Sequence, residues 1–256
     1  MIGLHQILIE SCSLCQNRCE YCAHQGMRDN DPTYQMSLED VKILIAYFQK
    51  INCKIGNIAI HGPAEPLLWR HLNDAILLFA KSKLTDTEVV NGIRIKDASK
   101  KEGIMVVTNG RLLHSLNKIL SEEAWGKITL FWVSLYGYPI DTSVLEKHLD
   151  RVTYINKPTF DHIEEKSLPF NSFGGCGCGG PMYYKGMIYP YCGPPLFDAC
   201  NRAKVEHKKY CVPLEQYNPS NPVHMPYQTY LPCAWCWANM AIPRYRTTYR
   251  NEIKNV

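Results

Sequence analysis

The sequence lacks the features that direct a chain into a membrane or a secretory pathway. Residues 1–10 carry no basic segment and no small-residue cleavage site, and no predominantly apolar run reaches the roughly 20 residues that span a bilayer. Internal repeats and low-complexity tracts are absent as well, which excludes solenoid and fibrous architectures. We therefore expect a cytoplasmic protein without a membrane partner.

Excess charge of one sign is also scarce. Charged residues make up 20% of the chain, and the net charge is +4. Residues 201–256 carry eight Lys or Arg and three Glu, a surplus of +5, so the rest of the chain sums to −1. This modest excess keeps a nucleic-acid partner open only weakly, because a solvated basic tail is the more common cause.

Cysteine, by contrast, is abundant, with twelve in 256 residues. Reducing conditions disfavour disulfides, so metal ligation or redox chemistry is the default reason for so many thiols. Four lie between Cys12 and Cys22 and seven between Cys176 and Cys236, while Cys53 stands apart and reads as a buried apolar residue. The two groups favour two separate metal sites.

The apolar pattern up to about residue 158 alternates between strand-like and helix-like segments, which predicts βα units and a mainly parallel sheet. The predicted strands are 3–10, 57–61, 104–108, 128–135 and 152–155. The predicted helices run from a capping-box-like start at Ser37 to about Phe48, and over 72–79, 112–121 and 142–150. The polar stretch 82–102 reads as an insertion.

Candidate functional residues follow these strands. The cysteine loop comes after the first strand, Glu65 after the second, and Asn109 and Ser134 stand at the ends of later ones. The carboxyl ends of parallel strands share one edge, where α/β proteins bind their ligands. We expect these residues to meet at that edge.

Cys15, Cys19 and Cys22 have the spacing Cys-x-x-x-Cys-x-x-Cys, with aromatic Tyr21 before the third cysteine. This pattern resembles the radical S-adenosylmethionine (SAM) superfamily. Three thiolates would hold three irons of a [4Fe-4S] cluster and leave the fourth open, where the superfamily chelates SAM. The resemblance implies a catalytic role for the three cysteines in reductive cleavage of SAM to a 5′-deoxyadenosyl radical, and an electron donor such as flavodoxin or ferredoxin.

The alternative for this loop is a zinc knuckle built from Cys12-x-x-Cys15 and Cys19-x-x-Cys22. Only three residues separate these pairs, whereas zinc ribbons usually interpose roughly 12 to 20. We therefore favour the cluster and expect Cys12 to be a non-ligating thiol.

The same resemblance implies cofactor-binding roles for Tyr21, Glu65, Asn109 and Ser134. Pro63-Ala64-Glu65-Pro66 stands where the superfamily commonly has Gly-Gly-Glu-Pro, which holds the SAM amino group. Thr108-Asn109-Gly110 and Ser134 are similar to motifs that often end its fourth and fifth strands. The implied fold is α/β, a partial (βα)6 TIM-like barrel over residues 1–165.

Residues 166–256 resemble the small iron-sulfur appendages called twitch and SPASM. The spacing is similar to the twitch domain in the radical dehydrogenase of aminocyclitol antibiotic biosynthesis. The implied ligands of a second, auxiliary [4Fe-4S] cluster are Cys176 or Cys178, with Cys192, Cys233 and Cys236. Cys200 and Cys211 fit neither pattern, and a structural zinc site is the alternative, because four thiolates suit either metal.

The function that the resemblance implies is SAM-dependent hydrogen abstraction, with net oxidation of a small molecule as the favoured outcome. Radical modification of a peptide, or of a nucleotide or RNA, is the alternative within this class. A zinc-binding interaction module, with the barrel as scaffold, is the alternative from another class.

Overall fold

The structure is a computed structural model that describes residues 2–17, 25–61, 64–85, 89–90, 93–94, 103–156, 180–190, 196–197, 200–201 and 204–220. Among the predicted site residues, Cys15, Glu65, Asn109 and Ser134 lie within these ranges. The others lie outside the described residues: Cys19, Tyr21, Cys22, Cys176, Cys178, Cys192, Cys233 and Cys236.

The elements of the described chain alternate between strands and helices. The strands are β1 (Ile2–Glu10), β2 (Cys53–His61), β3 (Val89–Val90), β4 (Ile93–Arg94), β5 (Ile104–Thr108), β6 (Ile128–Leu135), β7 (Val152–Asn156), β8 (Met182–Tyr184), β9 (Met187–Tyr189) and β10 (Val212–Pro213). The helices are α1 (Gln25–Asn30), α2 (Leu38–Lys50), α3 (Leu72–Ser82), α4 (Leu116–Ile119) and α5 (Glu122–Lys127). Within the described ranges, no helix is long and apolar enough to cross a membrane.

One eight-stranded sheet organises the molecule, in the order β10-β9-β8-β1-β2-β5-β6-β7. The six strands from β8 to β7 in this order are parallel to one another. Strand β9 pairs antiparallel with β8, and β10 pairs antiparallel with β9. Such a mostly parallel sheet confirms the α/β class and is consistent with a TIM-like fold. The short β3–β4 ribbon stands apart, within the segment read as an insertion.

The sixth parallel strand comes from an unexpected part of the chain. The described residues up to 156 form five of the six parallel strands. The sixth is β8, which follows the predicted domain boundary at 165 and pairs with β1. A strand of three residues is too short to show a period, so the sequence pattern missed it. Gly180 permits the approach, because a Cβ there would lie 2.5 Å from the carbonyl oxygen of Gln6.

The first two long helices follow their predicted positions. Ser37 and Asp40 form the expected capping box of α2, and the apolar face of this helix is buried. The segments predicted as helices over 112–121 and 142–150 are shorter than expected. They form a 3-10 turn followed by α4, and a 3-10 helix over Ser143–His148. Neither segment has a side-chain N-cap hydrogen bond, which leaves such short helices marginal.

The two faces of the sheet differ in polarity. The face formed by Ile7 and Ile9 of β1 with Ile58 and Ile60 of β2 is apolar and fully buried. Register places four polar side chains together on the opposite face: Gln6, Asn57, Glu10 and His61. Further along the sheet, Val107 pairs with Trp132, so Trp132 and Ser134 extend this second face. We call it the polar face.

Candidate active site

The cysteine loop is anchored where it leaves β1. The backbone N–H of Ser13 donates to the carbonyl of Tyr34 at 2.9 Å, and that of Met36 donates to Ser11 at 2.8 Å. An antiparallel bridge joins Cys12 to Gln35 between them. The base of the loop is therefore fixed beside the sheet edge that β1 reaches.

Two N–H groups surround the sulfur of Cys15. The backbone N–H of Asn17 donates to Cys15 Sγ at 3.3 Å, and the side-chain amide of Asn109 approaches the same atom at 3.7 Å. Donors of this kind stabilise a thiolate, which is the form that binds iron. Of the three predicted ligands, the one that the structure describes is thus in surroundings suited to metal ligation.

Cys12 is in different surroundings. It is fully buried, its Sγ donates to the carbonyl oxygen of Glu65 at 3.4 Å, and burial raises the pKa of its thiol to about 12. A thiol with such a pKa stays protonated near neutrality. This agrees with a structural role, and its exclusion from the cluster stays a prediction.

Glu65 links the segments that follow three strands. Its carboxylate accepts hydrogen bonds from Thr108 Oγ1 at 2.7 Å, from the backbone N–H of Asn109 at 2.7 Å and from that of Leu67 at 3.0 Å. Its own N–H donates to Leu14 in the cysteine loop at 2.8 Å. Burial raises the pKa of Glu65 to about 7, although these hydrogen bonds oppose the increase.

The Glu65 carboxylate is also fully enclosed. The contact predicted from the sequence, with the amino group of SAM, stays a prediction. What the geometry adds is a bracing role, since Glu65 holds the end of β5 through its carboxylate and the cysteine loop through its backbone N–H.

The turn after β5 aims Asn109 at the cysteine loop. The backbone N–H of Arg111 donates to Asn109 Oδ1 at 3.0 Å, and the Asn109 amide also donates to Gln16 Oε1 at 3.3 Å. Gly110 has a φ of +81°, and a Cβ there would lie 3.2 Å from Val133 Cγ1. Glycine is therefore required for this turn.

Ser134 occupies the penultimate position of β6, at the same edge of the sheet, and is buried. The prediction that the candidate residues share one edge holds for the four that the structure describes. Direct hydrogen bonds join Cys15, Glu65 and Asn109 into one group, and Ser134 lies on the polar face of β6.

Sequence reasoning missed Glu10 and His61, the last residues of β1 and β2. They are register partners, and His61 Nδ1 lies 3.6 Å from Glu10 Oε1. The Glu10 side chain is 0% exposed, and burial raises its pKa well above the ordinary value, whereas His61 keeps 17% side-chain exposure. The sequence did contain a signal for this pair, because Glu10 is a charged residue at the end of an apolar strand and next to the cysteine motif.

The β8–β9 hairpin of the cysteine-rich region packs against the segment that follows the cysteine loop. Lys185, at the tip of the β8–β9 hairpin, forms an ion pair with Asp31, and the rings of Tyr184 and Tyr34 meet edge to face with centroids 4.8 Å apart. The hairpin lies in the chain between Cys178 and Cys192.

The remaining described cysteines are Cys53, Cys200 and Cys211. Burial raises the pKa of Cys200 to about 12 and also raises that of Cys211, whose Sγ donates to the carbonyl of Lys208 at 3.3 Å. Cys53 is buried, as expected. Among the residues that the structure describes, no three His, Cys, Asp or Glu side chains are grouped to hold a metal ion.

No protein-family model and no curated protein matches the chain. Among solved structures, the fold is similar to the crystal structure of BtrN in complex with AdoMet and 2-DOIA, with a TM-score of 0.53 and 16% identity over 91% of this chain and 87% of that chain. BtrN is a radical SAM aminocyclitol dehydrogenase. The resemblance predicted from the cysteine motifs is therefore confirmed, at the level of the fold.

Proposed function

We propose that this chain is a radical SAM enzyme that abstracts hydrogen from a small polar molecule and oxidises it. The observation that carries the proposal is the hydrogen-bonded group of Cys15, Glu65 and Asn109 at the carboxyl ends of parallel strands. This group stands on a fold shared with BtrN, whose complex holds AdoMet.

In this proposal Cys15, Cys19 and Cys22 hold the first [4Fe-4S] cluster. The N–H donors at Cys15 Sγ fit a metal-bound thiolate, and the burial of Cys12 with its hydrogen bond to the Glu65 carbonyl fits a residue outside the ligand set. A cluster held by these three cysteines would supply an electron for the cleavage of SAM, and a second cluster held by the C-terminal cysteines would serve as the acceptor of the substrate electron. Flavodoxin or ferredoxin is the proposed class of electron donor.

The residues around the cofactor would act mainly by position. The proposed SAM contacts are Tyr21, Glu65, Asn109 and Ser134. Glu65 also fixes Asn109 through its carboxylate and the cysteine loop through its backbone N–H. An ordered site of this kind holds SAM at one distance from the cluster and excludes water.

The polar face favours a substrate that carries hydroxyl or amino groups. Asn57 Oδ1 and Trp132 Nε1 are buried on this face without a hydrogen-bond partner among the described residues. Buried polar groups normally have partners, so their presence favours a polar ligand. BtrN, with its bound 2-DOIA, provides a small-molecule precedent.

Glu10 and His61 would form the group that accepts a proton from the substrate. Oxidation of an alcohol to a carbonyl removes a hydrogen atom from carbon, a proton from oxygen and one electron. His61 is half-buried at the sheet edge that bears the cysteine loop, and the Glu10 carboxyl group, 3.6 Å from His61 Nδ1, would hold the imidazole ring in position. We propose His61 as the acceptor of the hydroxyl proton.

The second cluster would be ligated by Cys176, Cys192, Cys233 and Cys236. The β8–β9 hairpin supports its location near the first site, because the hairpin precedes Cys192 in the chain and packs on the segment that follows the cysteine loop. The domain boundary at 165 stays a prediction, and β8, β9 and β10, which follow it in the chain, belong to the main sheet.

Anaerobic reconstitution with iron and sulfide, followed by dithionite and SAM, tests the function. We expect a brown protein that forms 5′-deoxyadenosine, with formation lost in Cys15→Ala, Cys19→Ala and Cys22→Ala and retained in the matched control Cys53→Ala. A colourless protein that holds zinc and forms no 5′-deoxyadenosine would support the zinc-binding module instead.

A further inference from the structure

Tyr138 lies just beyond β6 and contacts both residues that donate to the Cys15 sulfur. Its hydroxyl donates to the carbonyl oxygen of Asn109 at 2.7 Å and accepts from the side-chain amide of Asn17 at 3.0 Å. One hydroxyl thus bridges the cysteine loop and the turn after β5.

The Tyr138 ring is itself held in place. The guanidinium of Arg111 lies 4.2 Å from the ring centroid, which is a cation–π distance, and the ring of Tyr136 is nearly parallel at 6.1 Å. Burial raises the pKa of Tyr138, so the hydroxyl remains a donor near neutrality. The bridge is therefore present under the conditions in which an enzyme works.

Apart from its side-chain amide nitrogen, each polar atom of Asn109 has a hydrogen-bond partner outside the cysteine loop. Glu65 accepts from its N–H, Tyr138 donates to its carbonyl, and Arg111 donates to its Oδ1. The amide nitrogen faces the loop, where it donates to Gln16 Oε1 at 3.3 Å and lies 3.7 Å from Cys15 Sγ. Asn17, whose backbone N–H donates to the same sulfur, is held through its side chain by Tyr138.

Hydrogen bonds to the sulfurs of an iron-sulfur cluster raise its reduction potential, because they stabilise the more negative, reduced state. We propose that Tyr138 is a positioning residue that sets the reduction potential of the first cluster by holding the Asn17 and Asn109 N–H groups against the Cys15 sulfur. The inference deepens the proposed function and rests on it.

The test is an EPR-monitored redox titration of the reconstituted protein, followed at the signal that changes when SAM is added. Tyr138→Phe removes the hydroxyl and keeps the ring. We expect its midpoint potential to be lower by about 59 mV, which corresponds to a tenfold change in the one-electron equilibrium. Tyr136→Phe is the matched control, and we expect its potential to equal that of the wild type.

A second variant removes a donor directly. Asn109→Ala should lower the potential in the same direction, and the double variant with Tyr138→Phe should shift it by less than the sum of the two, because the residues act together. If the wild-type cluster responds to SAM but its potential is unchanged in Tyr138→Phe and in Asn109→Ala, the inference is wrong and the proposed function stands. A wild type without a SAM-responsive cluster contradicts the proposed function itself.

Discussion

The side-chain carboxylate of Glu65 accepts the backbone N–H of Asn109 at 2.7 Å, which joins the segment after β2 to the end of β5. Both residues also contact the cysteine loop, Glu65 through Leu14 and Asn109 through Cys15. Residues that follow β1, β2 and β5 therefore form one hydrogen-bonded unit through contacts of the protein alone. This unit is the structural basis of the proposed active site.

Replacing Glu65 by alanine should destabilise the protein even without metal. The change leaves buried donors of Thr108, Asn109 and Leu67 without their acceptor. Each buried unsatisfied group costs about 1–3 kcal/mol, so we expect the free energy of unfolding to fall by roughly 3 kcal/mol. Urea unfolding of the apo-protein measures it, with the exposed Glu39→Ala as control. Equal stability of the two variants would show that the Glu65 carboxylate does not brace the site.

The buried Glu10 carboxyl should make stability depend on pH. Burial raises its folded-state pKa well above the ordinary 4.5, and the titratable groups that face it are His61 and Tyr184. The folded state then binds more protons than the unfolded state above pH 4.5, so the free energy of unfolding falls as pH rises toward the folded-state pKa.

In Glu10→Gln that decrease should be smaller, because the titrating carboxyl is gone. Glu65, with its pKa of about 7, contributes to the same window and leaves a residual slope. Denaturant unfolding at a series of pH values from 4.5 to 8 measures the difference. Parallel curves for wild type and variant would contradict the burial of an ionisable Glu10.

Cys12 should resist alkylation in the folded apo-protein. Its thiol is fully buried and has a pKa raised to about 12, whereas Cys15 is partly exposed and receives two N–H donors. Mass spectrometry after brief iodoacetamide treatment should find Cys15 labelled well before Cys12, with buried Cys53 as the slow reference. Labelling of Cys12 as fast as Cys15 would remove the structural distinction between them.

The second cluster is tested by replacing Cys15, Cys19 and Cys22 together by alanine. We expect about four irons per chain to remain, because a second [4Fe-4S] cluster has its own thiolate ligands. Retention of zinc without iron would make the region a structural zinc site, and the proposal of net oxidation would lose its electron acceptor.

The parts of this fold that the sequence predicted are those with strong periodicity or a defined cap. The strand that contains Ile104–Thr108 and the helix capped by Ser37 match their predicted positions. Prediction failed where tertiary contacts decide, as in the three-residue strand β8, which forms because Gly180 and Pro181 dock on β1.

The candidate site was likewise predicted only in part from the sequence. The predicted strands placed Cys15, Glu65, Asn109 and Ser134 at one sheet edge, since each residue follows or ends a strand and the carboxyl ends of parallel strands meet there. The same reasoning did not find Tyr138, because a tyrosine in a loop carries no motif, nor the Glu10–His61 pair, which depends on strand register.

The most direct measurement of the central claim is the EPR spectrum of the dithionite-reduced, reconstituted protein before and after addition of SAM. We predict a reduced [4Fe-4S] signal that changes on adding SAM, and the loss of that SAM-dependent change in the triple variant of Cys15, Cys19 and Cys22. A wild-type spectrum that is unaffected by SAM, or a change that persists in the triple variant, would contradict the assignment of these cysteines to a SAM-binding cluster.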